Sequence, residues 1–321
     1  MDNLIDMSPW TGRIDDGKTA LRWHQCISPL TAESPEPGVA LLGVASDEGV
    51  KRNQGRTGAV AGPNAIRKAL ANQAYHLKLP VYDAGTLYCE QNHLEKLQKQ
   101  QAQEVKRLLD QHHFPLLLGG GHEIALGSFL GLEQHLKPDS GAAPIGIINF
   151  DAHFDLRQTE KSTSGTPFLQ IANHCQRRDI PFHYCCLGIS EVSNTRTLFH
   201  QADELGTIYL KDEELNSWQL SRTEQILSNF ISPCQAIYLS IDLDVLPAAT
   251  APGVSAPASR GLPLAELEQL LLLIRTMAGE RLRIADIAEY NPQYDIDGRT
   301  ARTAARLCHL LTRPLKRENH E

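Results

Sequence analysis

The feature that most limits what this chain can become is an alternation. Short apolar runs at 39–45, 81–84, 115–118, 145–150, 183–188, 206–209, 236–242 and 281–288 read as strands. Helix-period stretches lie between most of them, at about 63–76, 91–112, 122–136, 212–230 and 263–278, and a last one covers about 297–312. The runs are continuous in Val, Ile and Leu, as happens when helices cover both faces of a sheet. The pattern predicts an α/β fold in three layers, a mostly parallel, eight-stranded sheet with helices on both faces. Pro63 and Pro263 suit first helical turns, where an N–H has no intrahelical acceptor. Residues 1–38, with Trp10, Trp23 and several prolines but no period, read as an irregular N-terminal arm. Residues 39–321 show no repeat, low-complexity tract or linker and read as a single domain.

Charge narrows the partners. Lys plus Arg number 31 against 38 Asp plus Glu, a formal charge of -7, which gives no footprint for nucleic acid or an anionic membrane. A local basic pocket for a small acidic molecule stays open. The densest apolar run, Leu270 to Ile274, is far short of the roughly 20 residues that cross a bilayer. The N-terminus lacks the basic and apolar regions of a signal peptide. Seven cysteines without a CxxC pair suggest reduced thiols, with the adjacent Cys185 and Cys186 on opposite faces of one strand. A cytoplasmic protein is the expectation.

Ligands of open α/β sheets bind beyond the carboxyl ends of the strands. Four of the runs end in chemistry. Leu116-Leu117-Leu118 is followed by Gly119-Gly120-Gly121-His122-Glu123, and Ile148-Asn149-Phe150 by Asp151-Ala152-His153-Phe154-Asp155. Ser240-Ile241 leads into Asp242-Leu243-Asp244, and Ile287-Ala288 into Glu289-Tyr290-Asn291-Pro292. Together they offer two imidazoles and, from Asp151, Asp155, Asp242, Asp244 and Glu289, up to five carboxylates to one edge. Each motif alone has a plainer reading: a solvated strand end, a helix cap, a tight turn or a phosphate cradle. In combination they point to metal, because five clustered carboxylates cannot all stay ionised without cations. Alternation puts Asp151, His153 and Asp155 on one side of an extended segment. Such an oxygen-rich set suits Mn²⁺ better than structural zinc. Six ligands exceed what one metal with an open position needs, so a two-metal centre is predicted.

GGGHE at 119–123, NFDAHFDLR at 149–157, SIDLD at 240–244 and AEYNP at 288–292 resemble the arginase/agmatinase ureohydrolases, in order along nearly the whole body. Further stretches, at 47–53, 164–168 and 246–257, resemble the branch that acts on an acidic formimidoyl compound. The resemblance implies an arginase-like fold and hydrolysis of N-formimidoyl-L-glutamate to L-glutamate and formamide in histidine degradation, by a hydroxide bridging two Mn²⁺ per subunit. It assigns one ion to His122, Asp151, Asp155 and Asp242, and the other to Asp151, His153, Asp242 and Asp244, with Asp151 and Asp242 bridging. Asp155 would orient the nucleophile, and Glu289 would face the cationic amidine. Where agmatinases carry a histidine this chain has Ser164, and where arginases carry Asn it has Arg157, suited to grip a carboxylate. Arg56, or Arg52 beside it, is the candidate for the second carboxylate. The family often forms homo-oligomers. Other amidinohydrolases, a non-catalytic metal-binding relative and a single-metal deacetylase are the alternatives.

Overall fold

The computed structural model describes residues 5–17, 19–31 and 36–315. Nine strands make one sheet: β1 (Ile27–Pro29), β2 (Val39–Ala45), β3 (Val81–Tyr88), β4 (Phe114–Gly119), β5 (Ile145–Phe150), β6 (Phe182–Ile189), β7 (Ile208–Lys211), β8 (Ala236–Asp242) and β9 (Leu282–Ala288). Their order is β1-β3-β2-β4-β9-β8-β5-β6-β7, and every pairing is parallel. Each of the eight apolar runs is a strand. The ninth, β1, lies within the segment expected to be irregular. It has three residues and ends in Pro29, too short to show a period, and it sits at the sheet edge, where proline is tolerated.

Ten helices accompany the sheet: α1 (Trp23–Cys26), α2 (Glu48–Arg52), α3 (Gly62–Ala71), α4 (Leu94–Asp110), α5 (Ile124–Leu136), α6 (Pro167–Arg178), α7 (Arg196–Glu204), α8 (Leu220–Ile231), α9 (Leu264–Ala278) and α10 (Arg299–Thr312), among the described residues. Pro63 lies in the first turn of α3, whereas Pro263 is the last extended residue before α9, with ψ 144°. Helices α6 and α7 lie outside the helix-period stretches of the sequence. The signal for α6 was present: Pro167 opens it, and Phe168, Ile171, Ala172 and Cys175 are buried at i, i+3, i+4 and i+7. By contrast, α7 buries only Leu198 and Ala202, too little to register.

Neighbouring strand residues feed opposite layers. Leu41, Leu118, Ile148 and Cys185 pack with Ile66, Leu271 and Leu307 of α3, α9 and α10. Leu42, Leu117, Ile147 and Cys186 pack with Leu97, Phe129 and Ile171 of α4, α5 and α6. All seven cysteines are free thiols. Among the described residues no helix is long and apolar enough to cross a membrane.

The arm is tied to the sheet by a buried charge pair. Arg67 of α3 donates from Nε and Nη2 to both oxygens of Asp83 on β3, at 2.8 and 2.9 Å. Trp10 Nε1 donates to Asp83 Oδ2 at 2.6 Å, which anchors the arm on the same carboxylate.

Candidate metal centre

The four motif-bearing strands are neighbours, in the order β4-β9-β8-β5. Because all are parallel, their carboxyl ends share one edge, and segments far apart in sequence converge there. Local geometry shapes each delivery. Gly120 passes so near β2 that a Cβ would lie 2.7 Å from the carbonyl oxygens of Val44 and Ser46, so only glycine fits. Asn194 clasps the 151–155 segment, accepting from Phe154 N at 3.1 Å and donating to Ala152 O at 2.9 Å. Asp155 and Glu289 both adopt left-handed backbone, with φ 50° and 65°. Such conformations cost non-glycine residues on the order of 1–3 kcal/mol, and they collect where a side chain must be aimed.

Two groups of potential ligands result. In the first, one atom each from His122, Asp151, Asp155 and Asp242 lies within 4.8 Å of the others. His122 Nδ1 is 2.9 Å from Asp155, 3.1 Å from Asp151 and 3.2 Å from Asp242. The second group is Asp151, His153 and Asp244, with His153 Nδ1 3.0 Å from Asp244 and 3.5 Å from Asp151. Asp151 is common to both. Asp242 falls in the first group only, and its Oδ1 accepts the Asp244 amide at 2.8 Å.

All but His153 of these side chains are buried, and their electrostatics are unfavourable without a cation. Burial first, and neighbouring carboxylates second, push Asp242 up to about 8 and Asp155 up to about 6. The same two causes raise Glu289 well above the carboxylate range. Asp151 runs the other way: burial opposes it, but the neighbouring imidazoles of His122 and His153 hold it below the usual range. His122 Nδ1, although ringed by three carboxylates, makes no properly directed hydrogen bond. One imidazole nitrogen and three carboxylate oxygens aimed at a common point are the donor set of an oxygen-preferring divalent ion such as Mn²⁺. The residues fit the metal.

His122, His153, Asp155, Asp242 and Asp244 line a cavity of about 310 Å³. Glu289 reaches its wall with one oxygen committed, since Oε1 accepts the His122 amide at 2.9 Å, while buried Oε2 has no partner among the described residues. Arg157, Ser164 and Arg56 line the remainder. Arg157 is exposed, and among the described residues its guanidinium meets no acceptor. Arg56 is partly committed: Nε donates to Ser255 O at 2.9 Å and Nη2 to Val254 O at 2.6 Å, and it lies 4.3 Å above the Tyr294 ring. Arg52 does not reach the cavity. Glu48, Glu95 and the carbonyls of Asn92 and Ser162 hold it.

Sequence reading assigned no task to Glu123, the residue after His122. It is fully buried, and Oε1 accepts from Ser46 Oγ at 2.8 Å and Gly49 N at 3.0 Å. It thus ties α2, where the 47–58 loop begins, to the histidine-bearing turn. Burial pushes its carboxyl up to about 7. Nothing in its spacing marks this role, because the partners come from another strand end. Ser164 accepts a hydrogen bond from Asn53 Nδ2 at 3.3 Å. A hydroxyl has no useful pKa near neutrality. Ser164→Ala is therefore expected to lower kcat by no more than about tenfold, roughly 1.4 kcal/mol. Steady-state rates at saturating metal check this, and a thousandfold loss would make Ser164 a chemical participant.

The chain belongs to the arginase family, whose profile matches residues 37–312. It is an enzyme of that family, a hydrolase of the amidinohydrolase type. It is 53% identical to formimidoylglutamase of Aeromonas salmonicida (strain A449), over 97% of this chain and 99% of the relative. The crystal structure of formimidoylglutamase from Bacillus subtilis superposes with a TM-score of 0.81 at 27% identity, covering 94% of each chain. The fold is also that of Trypanosoma cruzi formiminoglutamase, solved with Mn²⁺, at a TM-score of 0.78 and 22% identity over 92% of this chain and all of the other.

Proposed function

We propose that this enzyme hydrolyses N-formimidoyl-L-glutamate to L-glutamate and formamide, using two Mn²⁺ per chain. The observation that carries the reading is that one cavity is lined both by acidic, metal-fitting side chains and by an unpaired guanidinium, Arg157. An amidine is a cation at neutral pH and glutamate is a dianion, so the substrate is charged in the complementary sense. The names of the relatives at 44–53% identity agree with it. His122, Asp151, Asp155 and Asp242 would hold one ion and Asp151, His153 and Asp244 the other, with Asp242 assigned as a second bridge. Metal bound there offsets the clustered negative charge and lowers the pKa of water towards neutrality.

The chain's own groups do the rest. Glu289 Oε2 receives the N–H of the amidinium and fixes the formimidoyl carbon. Asp155 accepts a proton from the attacking water as its oxygen bonds to that carbon. It then returns the proton to the glutamate nitrogen as the C–N bond breaks, and the hydroxyl proton of the addition product passes to the same amine, leaving formamide and glutamate with its amine protonated. Arg157 holds one carboxylate by a charge-assisted contact, and Arg56, which lines the same cavity, is assigned to the other.

The direct test is glutamate release from N-formimidoyl-L-glutamate with Mn²⁺ supplied and then chelated, beside arginine and agmatine. Faster turnover of either alternative would overturn the substrate assignment. Elemental analysis of the active, Mn-loaded protein should find two ions per chain; one ion would sink the two-metal reading. Arg157→Ala should cost roughly ten- to a hundredfold in kcat/KM, since a charge-assisted hydrogen bond is worth about 1.5–3 kcal/mol. The loss should fall mainly on KM if the contact is equal in ground and transition states. Metal content should not change, and an unaltered kcat/KM would remove Arg157 from the substrate site.

A further inference from the structure

His122 shows its two ring nitrogens to different surroundings. Nδ1 faces Asp151, Asp155 and Asp242, while Nε2 lies 2.9 Å from Ser240 Oγ, inside β8. Ser240 gives its only proton to Asp286 Oδ1 on the adjacent strand β9, at 2.6 Å. A hydroxyl has one proton to donate, so towards His122 Ser240 Oγ can only accept, and Nε2 must carry hydrogen. In the neutral ring that leaves a lone pair on Nδ1, aimed into the carboxylate cluster.

Asp286 is itself fully buried. Its Oδ2 accepts from Tyr238 OH at 2.5 Å and from Ser128 Oγ at 2.7 Å, and Gln101 Nε2 backs Ser128 at 3.1 Å. Three hydroxyl donors on two oxygens are the surroundings of an acceptor, and no described residue forms an ion pair with it. Ser240 and Ser128 each offer their hydroxyl proton to Asp286, while Gln101 orients Ser128 from behind. The arrangement is a carboxylate–hydroxyl–imidazole relay running from mid-sheet to the metal-facing nitrogen.

We propose that Asp286 is a positioning residue which, through Ser240, locks His122 in the Nε2–H tautomer and raises the affinity of the first ligand group for a divalent cation. The proposal rests on the metal centre put forward above. Outer partners that orient a ligating histidine typically contribute about ten- to a hundredfold in metal affinity.

The test is Mn²⁺ binding by the full-length chain, followed by equilibrium dialysis and by the spin-coupled EPR signal of the ion pair. Ser240→Ala and Asp286→Asn should each weaken one ion by about ten- to a hundredfold and leave the other within about threefold. Ser240→Thr, which keeps the hydroxyl, should restore tight binding. Tyr238→Phe takes a donor from Asp286 without cutting the path to His122, so it should leave both ions within about threefold. Ser240→Ala deletes a single atom, so it decides the matter if Asp286→Asn does not fold. Unchanged affinity for both ions in folded Ser240→Ala, or an equal loss of both, would overturn the relay. A wild-type chain that binds no second ion would instead overturn the centre on which the relay rests.

Discussion

Asp151→Asn and Asp242→Asn should each abolish turnover while the protein stays folded. Asp151 belongs to both ligand groups, and both aspartates are buried at the carboxyl ends of adjacent strands. The amide has the shape of the carboxylate but no charge, and it turns one acceptor into a donor facing a cation site. In Asp151 both oxygens are already engaged, Oδ1 by the His153 amide at 2.7 Å and Oδ2 by Asn149 Nδ2 at 3.0 Å. Either way of seating the amide therefore sets a donor against a donor. A loss of at least a thousandfold in kcat/KM is expected, about 4 kcal/mol of transition-state stabilisation. The fold should survive, because each change keeps the size and shape of the side chain, and in Asp242 it also removes a charge that burial and neighbouring carboxylates oppose. Kinetics at saturating Mn²⁺ beside a thermal melt check both parts. Near-normal turnover in either variant would mean that the chemistry takes place elsewhere.

Asp83→Ala should produce the opposite outcome, a large loss of stability with the site chemistry intact. The Arg67–Asp83 pair is about 1% exposed on both sides, and the same carboxylate holds Trp10. Removing it strands a guanidinium in the interior, and breaking a buried pair from one side costs about 3–5 kcal/mol. Arg67 would keep Thr86 Oγ1 at 2.9 Å and Gly85 O at 2.7 Å, which soften the loss without neutralising the charge. The urea midpoint should fall, while kcat in dilute denaturant-free buffer should stay near normal. Replacing both partners with apolar residues should recover much of the stability, because the desolvation cost goes with the charges. Unchanged stability in Asp83→Ala would show that the arm and β3 are held by something other than this pair.

The gathering of Asp, His and Glu at one sheet edge is legible in the sequence because their chemistry breaks a local rule. Asp, His and Glu directly after runs such as Ile145 to Phe150 or Ala236 to Ile241 sit where packing alone would not put them. Alternation along a strand also placed Cys185 and Cys186 in opposite layers, as the structure has them. Short and weakly amphipathic pieces were invisible for the converse reason. Strand β1 is three residues long, and α7 buries two apolar side chains, so neither carries a period.

The type of each strand and the residues it carries to its end follow from the chain's own order of apolar and polar groups, because hydrophobic burial and strand pleating act over a few neighbours. Which strands lie side by side does not. The sheet inserts β9 and β8 between β4 and β5, and this sets Glu289 beside His122 and Asp242 beside Asp151. The same adjacency sets Asp286 beside Ser240 and, through it, behind His122. Glu123 likewise acquires its work from β2, whose end supplies Ser46. Pairings of this kind are chosen by long-range packing of whole layers, in which contributions from every strand compete. No local pattern records the result, so the outer partners and the left-handed backbone at Asp155 and Glu289 emerge only when the chain has closed on itself.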